Sequence, residues 1–238
     1  METILVASGK GGVGKTTVSI GIARALAKRH NVGIYDADLM CPNGPRLLGM
    51  DDDVRVGVED ERYIPAEFDG MQIFSTGFML PLDAVMTLEG DMRSKLLKDY
   101  TSRLEWNDDT DYLIVDMPPG TGDESIAVIE SMPDIAGLVL VVTGKMESLD
   151  DATRVLSMLK DLPENVPIIG VVRNMAYIDC KKCGERIRLF DDALNVELEL
   201  ELPVIGELPY KNLSSDDFVD IAAAIDEFVG VDYMDGDD

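Results

Sequence analysis

Short unbroken apolar runs alternate along the chain with longer stretches in which apolar residues recur every four positions. The runs are residues 3–7 (with Ile4-Leu5-Val6-Ala7), Val32-Gly33-Ile34-Tyr35, Tyr112-Leu113-Ile114-Val115, Leu138 to Val142, and Ile168-Ile169-Gly170-Val171-Val172. Each has the length of a strand, and a strand apolar at every position is covered on both faces. Val18, Ile22 and Leu26 make a helical stripe from about Lys15 to Arg29, and further helices are expected at about Asp91 to Glu105 and Leu149 to Leu162. This alternation predicts an α/β fold: a doubly wound, mostly parallel sheet with helices on both sides. Pro42 to Asp53 reads as loop, and Val54 to Leu80 as short strands ending in Met71-Gln72-Ile73-Phe74. From Val196 to Leu202 the alternation with glutamates suggests a strand, while the position before Val204-Ile205-Gly206 suggests a helix. Ile221 to Asp238 has some helical spacing. There is no repeat or long linker, so one domain over residues 1–238 is expected, with an acidic tail from about 231 to 238.

Composition narrows the function classes. The hydrophobic content is 46%, enough for a large core. No apolar run approaches the ~18–20 residues of a membrane span, and no leader is evident, so a cytoplasmic protein is expected. The net charge of −25 repels nucleic acid and anionic lipid, so neither is an expected partner. The acidic residues are scattered in small clusters, the pattern of a surface adapted to high salt. Three cysteines in such a chain do not make a disulfide framework. The single histidine, His30, is expected at the end of the first helix, favourable to its dipole rather than catalytic.

Candidate chemistry concentrates in Gly9-Lys10-Gly11-Gly12-Val13-Gly14-Lys15-Thr16-Thr17, which fits the phosphate-loop pattern G-x-x-x-x-G-K-[ST] between a buried strand and a helix. The glycines let successive backbone N–H groups turn toward one anion, and the helix adds its positive end. Lys15 is expected on the outer phosphates of ATP and the Thr16 hydroxyl on Mg²⁺. The fold is therefore expected to be of P-loop NTPase type. Asp36 and Asp38 follow the second strand, and Asp116 follows a later one, at the carboxyl ends where such sheets place ligands. Asp116 suits holding Mg²⁺ through water, and Asp38 orienting the attacking water and contributing to the metal site.

The second chemical site is Cys180-Lys181-Lys182-Cys183-Gly184. Two thiolates fill half of a four-ligand site. A thioredoxin-type redox pair is disfavoured, because the motif does not follow an early strand and open a helix. Zinc with ligands from elsewhere, unmetallated thiols, and a [4Fe–4S] cluster shared by two chains stay open.

KGGVGKTT from Lys10 to Thr17, DADLMCPN after the second strand, DMPPGTGD from Asp116 to Asp123, Gly70 to Phe78, and NMAYIDCKKCG from Asn174 to Gly184 together resemble the Mrp/Nbp35-type (ApbC-like) iron–sulfur cluster carrier ATPases of the deviant Walker A class. The likeness runs to about Leu208. It implies a homodimer in which Lys10 crosses to the partner's nucleotide, Gly120 approaches the γ-phosphate, and Asn174 contacts adenine. It also implies a [4Fe–4S] cluster bridged by Cys180 and Cys183 of two subunits, with apo iron–sulfur proteins as recipients. This sequence departs from that pattern at Cys41, where glycine is usual and a buried small residue is expected. Glu89-Gly90-Asp91 stands in place of Arg-Gly-Pro, and the glycine-rich stretch after Cys183 is reduced. An amino-terminal cysteine extension is not seen, so a second cluster is not expected. The rival is a MinD/ParA-type spatial-organising ATPase, under which the cysteine pair has no role. A nitrogenase-like reductase component would instead carry single, widely spaced cysteines.

Overall fold

The computed structural model describes residues 1–51, 54, 56–79, 87–190 and 195–230. Eleven strands fall within them: β1 (Glu2–Ala7), β2 (Val32–Asp36), β3 (Gly57–Glu59), β4 (Arg62–Ile64), β5 (Ala66–Phe68), β6 (Met71–Ser75), β7 (Tyr112–Asp116), β8 (Ile135–Val142), β9 (Ile168–Asp179), β10 (Arg186–Arg188) and β11 (Val204–Pro209). The helices are α1 (Lys15–Leu26), α2 (Gly44–Leu48), α3 (Gly90–Arg103), α4 (Asp123–Ser131), α5 (Met146–Asp161), α6 (Val196–Leu200) and α7 (Val219–Val229).

The main sheet has nine strands in the order β10-β9-β8-β1-β7-β2-β6-β5, with β11 also paired to β9. The joins among β6, β2, β7, β1, β8, β9 and β11 are parallel, and only β5 and β10 run antiparallel to their neighbours. Strand order reverses at β1, which lies between β7 and β8. That is the switch point at which open α/β sheets leave a crevice beyond the strand ends. Successive residues of β1 feed opposite cores: Leu5 and Ala7 pack with Val128, Leu149 and Val155 of α4 and α5, while Ile4 and Val6 pack with Val18, Ile22 and Ile225 of α1 and α7. The expected doubly wound, mostly parallel sheet is present.

Several local expectations change. The stretch read as loop from Pro42 contains α2, because its turn residues act as caps: Pro45 lies in the first turn and Gly49 ends the helix at φ 84°. Residues 196–200 are helical. Val196 and Leu200, four apart, are buried, Leu198 points to solvent, and the Asn195 side chain accepts the Leu198 N–H at 3.2 Å. α1 stops at Leu26, so His30 lies beyond it; its Nε2 is 3.3 Å from Asp226 and its ring meets Tyr112 edge-on. Strand β9 runs to Asp179, seven residues past the expected end, because β10 and β11 pair with its far half. The acidic tail from 231 to 238, Asp52-Asp53 and Asp191-Asp192 lie outside the described residues.

Candidate active site

The turn from β1 into α1 needs left-handed backbone at two points, and Gly12 (φ 85°) and Gly14 (φ 86°) supply it. Gly9 has another constraint: a Cβ there would lie 2.3 Å from the backbone of Asp151 on α5. The loop borders a cavity of about 670 Å³ whose lining includes Lys10, Gly11, Lys15, Thr16, Thr17 and Asp38. Gly12, Gly14 and Pro119 also reach it.

Three carboxylates converge beneath this cavity from adjacent strand ends. Asp36 and Asp116 are direct register partners on β2 and β7. Lys15 Nζ lies 2.7 Å from Asp116 Oδ1, which also accepts from Ser19 Oγ at 2.8 Å. Asp36 accepts from the Gly44 N–H (2.9 Å), Ser75 Oγ (3.0 Å) and the Asp38 N–H (3.3 Å). Burial, then repulsion from Asp116, pushes Asp36 up to about 7 despite the Gly44 N–H, Lys15 and Ser75. Burial likewise raises Asp38, against Lys15 and the Cys41 and Met40 N–H groups that its Oδ1 accepts at 3.0 and 3.2 Å.

The other oxygen of Asp116, Oδ2, is buried and has no hydrogen-bond partner among the described residues. A buried carboxylate oxygen without a donor is costly unless a cation or its water shell completes it. With the Thr16 hydroxyl and Asp38 on the same cavity, the donors are all oxygen, which fits Mg²⁺.

The turn after β7, from Asp116 to Asp123, is tied to the loop. Gly120 (φ 84°) donates its N–H to the Ser8 carbonyl at 2.9 Å, and Ser125 Oγ donates to the Gly120 carbonyl at 3.1 Å. Lys10 turns back onto its own chain, with Nζ 3.6 Å from Asp151, a carboxylate shared with Arg154. Asn174 is buried beside the loop: its Nδ2 donates to the Val13 carbonyl at 2.8 Å and its Oδ1 accepts the Met175 N–H. It braces the loop from below and is not among the described residues lining the cavity. Cys41 does line the cavity and is exposed, not buried as expected, because its N–H turns inward to Asp38.

Cys180 and Cys183 lie elsewhere, in the turn between β9 and β10. The Cys180 N–H donates to the Glu185 carbonyl and the Gly184 N–H to the Cys180 carbonyl, both at 2.8 Å, with Gly184 at φ 73°. Cys180 is partly exposed and Cys183 exposed. Backbone N–H groups of Cys183 and Lys182 hold the Cys180 thiol below its ordinary value, which favours the thiolate that binds metals. Among the described residues no group of three or more His, Cys, Asp or Glu could hold a metal ion. One described chain thus offers two thiols at this turn.

Residues 1–224 match the ParA-class family of NUBPL iron-transfer P-loop NTPases. The chain belongs to that family. As an NUBPL-type NTPase it is a P-loop ATPase of the Mrp/Nbp35 kind. An iron–sulfur cluster carrier protein of Pseudomonas fragi is 36% identical over 210 residues, covering 87% of this chain and 72% of that protein. A nucleotide-binding protein of Archaeoglobus fulgidus, solved with ADP, superposes at TM-score 0.74 with 30% identity, covering 94% and 88% of the two chains. The cell-division ATPase MinD of Pyrococcus furiosus superposes at 0.68 with 22% identity over 95% and 98%, a likeness of fold alone.

Sequence reasoning did not anticipate Ser19 or Asp151 at this NTPase site. Ser19, four residues after Lys15 on α1, is recognisable once Asp116 is placed. Asp151 meets Lys10 only through the packing of α5 on the loop.

Proposed function

We propose that this NUBPL-type NTPase is an ATP-dependent iron–sulfur carrier that works as a homodimer. Its cargo is a [4Fe–4S] cluster held by Cys180 and Cys183 of two subunits and passed to apo-proteins. The observation that carries this reading is the exposed turn offering two free thiols, Cys180 with its pKa lowered, at the end of the strand whose Asn174 braces the phosphate loop. A [4Fe–4S] cluster takes four thiolate ligands, one on each iron, and a second copy supplies the other two.

ATP lies against the loop from Gly9 to Thr17, with Lys15 and the partner's Lys10 on its phosphates and Asn174 near the base. Thr16, Asp38 and Asp116 hold Mg²⁺, which neutralises charge on the outer phosphates. Asp38 orients a water that adds to the γ-phosphorus as the bond to the β-phosphate oxygen breaks. Gly120 senses the γ-phosphate through its backbone, so phosphate loss alters the turn from Asp116 to Asp123. For Lys10 to cross, its contact with Asp151 must open. That contact is 3.6 Å long and the lysine is 37% exposed, so its opening costs little.

Anaerobic reconstitution of the full chain with iron and sulfide tests the reading. The expected product is a dimer with a broad visible iron–sulfur absorbance and about four iron atoms per two chains. The absorbance is lost in Cys180→Ala and Cys183→Ala and passes to an apo-ferredoxin on mixing. Stoichiometric zinc with no cluster under any condition refutes it.

A further inference from the structure

One residue before Asn174, at the carboxyl end of the sheet, lies a buried guanidinium whose side-on edge meets no acceptor among the described residues. Arg173 lies on β9, paired with Val142 of β8 on one side and Glu207 of β11 on the other, and is 7% exposed. Its Nη1 reaches Glu207 Oε1 at 3.3 Å. Its Nε and Nη2 are buried and have no hydrogen-bond partner among the described residues. These two donors form the side-on fork of the guanidinium, the pair of parallel N–H bonds that grips two oxygens of one carboxylate or phosphate.

The surroundings leave this charge poorly compensated. Glu207 is already held at both oxygens by Arg188, at 2.8 and 2.7 Å, so it serves Arg173 through one long contact. Arg173 Nη2 would lie only 2.8 Å from a Cβ on Gly144, one residue before the cap of the 16-residue helix α5. The positive end of that helix adds to the field of the guanidinium. Lys145 adds another cation 5.7 Å above the Phe190 ring, and Phe190 packs across Gly144 beside Arg173. Arg173, Arg188 and Lys145 lie about Glu207 and Phe190 here, in a chain of net charge −25.

We propose that the Nε–Nη2 edge of Arg173 is a binding site for a small oxyanion, a carboxylate or phosphate group held side-on beneath Phe190. It is separate from the phosphate loop, because neighbouring strand residues point to opposite faces: Asn174 turns to the loop, and Arg173 turns toward Gly144 before α5. Phe190 is half-exposed, so entry needs its ring to rotate away. The bound anion ties the loop after β8 to the strand leading into the cysteine turn. The inference does not depend on what Cys180 and Cys183 carry.

The test uses the full chain with Mg·ADP saturating the phosphate loop. Thermal midpoints are followed while sodium phosphate or sodium succinate replaces sodium chloride at constant ionic strength, and crystals grown with selenate are examined for its anomalous signal. The expected result is a saturable rise with at least one anion, and a selenate peak within hydrogen-bond distance of Arg173 Nε and Nη2. The phosphate and succinate arms tell which group the fork prefers. Arg173→Gln and Arg173→Lys each weaken binding by about tenfold or more, the lysine variant because it keeps the charge and loses the fork. Glu207→Gln leaves binding intact or tighter, which separates loss of the site from general damage. An equal response in wild type and Arg173→Lys, no response to either anion, or an ordered water on the fork in the selenate crystals overturns the proposal.

Discussion

Lys15→Met tests the electrostatics of the site without nucleotide. In the folded chain the Lys15 ammonium and Asp116 carboxylate are 2.7 Å apart and 6% and 1% exposed. Asp36 stands in register with Asp116, and Asp38 is two residues on, so one ammonium compensates three carboxylates. Removing one partner of a buried ion pair costs about 3–5 kcal/mol, most of it from the charge left behind. Proton uptake limits the loss, since each unit of pKa rise is worth about 1.4 kcal/mol. Asp36 already stands at about 7 with Lys15 pulling it down, and without Lys15 it goes higher.

The sign follows from linkage. A carboxyl whose folded pKa exceeds its unfolded value binds more protons when folded. Stability therefore falls as pH rises from the unfolded value to the folded one, and is flat above it. Wild type completes this fall near pH 7, whereas the variant continues to fall beyond it. The expected deficit is about 3–5 kcal/mol near neutrality, widening above pH 7 by up to about 1.4 kcal/mol per unit. Urea unfolding of nucleotide-free protein at pH 6, 7, 8 and 9, at fixed high salt, measures it. A deficit below about 1 kcal/mol, or one that does not change between pH 7 and 9, refutes the view that Lys15 compensates this acidic cluster.

Asp151→Ala removes its ion pairs with Lys10 and Arg154, whose cations face solvent, and is expected to change stability by under about 1 kcal/mol, whereas Lys10→Ala is expected to abolish most ATP turnover at similar stability; steady-state phosphate release beside thermal melts compares them. Asn174→Ala strips the Val13 carbonyl of its buried donor and is expected to cost about 1–3 kcal/mol and to weaken Mg·ADP binding, read by calorimetry. Gly9→Ala drives a methyl into the Asp151 backbone, which cannot yield as a flexible side chain can; soluble protein with wild-type ADP affinity would show that α5 can shift off the loop. Cys41→Ser is expected to leave stability unchanged, and labelling of Cys41 by a maleimide, followed by mass spectrometry, is expected to slow when Mg·ADP fills the cavity.

What the sequence disclosed was what local chemistry decides. The phosphate loop needs glycines at fixed spacing between a strand and a helix, so it was legible from Gly9 to Thr16 before any packing was known. The strands could be read because burial on both faces leaves unbroken apolar runs. Helix α2 was hidden because Pro45 and Gly49 serve equally as turn residues and as helix caps. Helix α4 gave no clear periodic stripe in nine residues, though Asp123 and Glu124 mark its first turn. Contacts across long separations left no trace: Lys10 with Asp151, Asn174 with Val13, and the unmatched fork of Arg173 all depend on which elements pack together. Cys41 was misplaced because residue size suggested burial, while the inward N–H bond to Asp38 decides where its thiol points.

Strand β9 joins the residue that braces the phosphate loop to the cysteine turn within one chain. From Asn174 to Cys180 is six residues, about 20 Å of extended chain, so the cysteine turn does not complete the nucleotide cavity from the same subunit. The strand is not uniform over that span. Met175 takes φ 55°, a left-handed conformation that costs a non-glycine residue about 1–2 kcal/mol. Its N–H is bonded to the Asn174 side chain rather than only to neighbouring strands, and the pairing with β11 shifts register just beyond. Asn174 therefore holds two things at once, the Val13 carbonyl of the loop and the strained join at Met175. Moving the loop disturbs one amide, and that amide stabilises the join. The segment carrying Cys180 and Cys183 is thus joined to the phosphate loop through Asn174, next to the one left-handed residue of its strand.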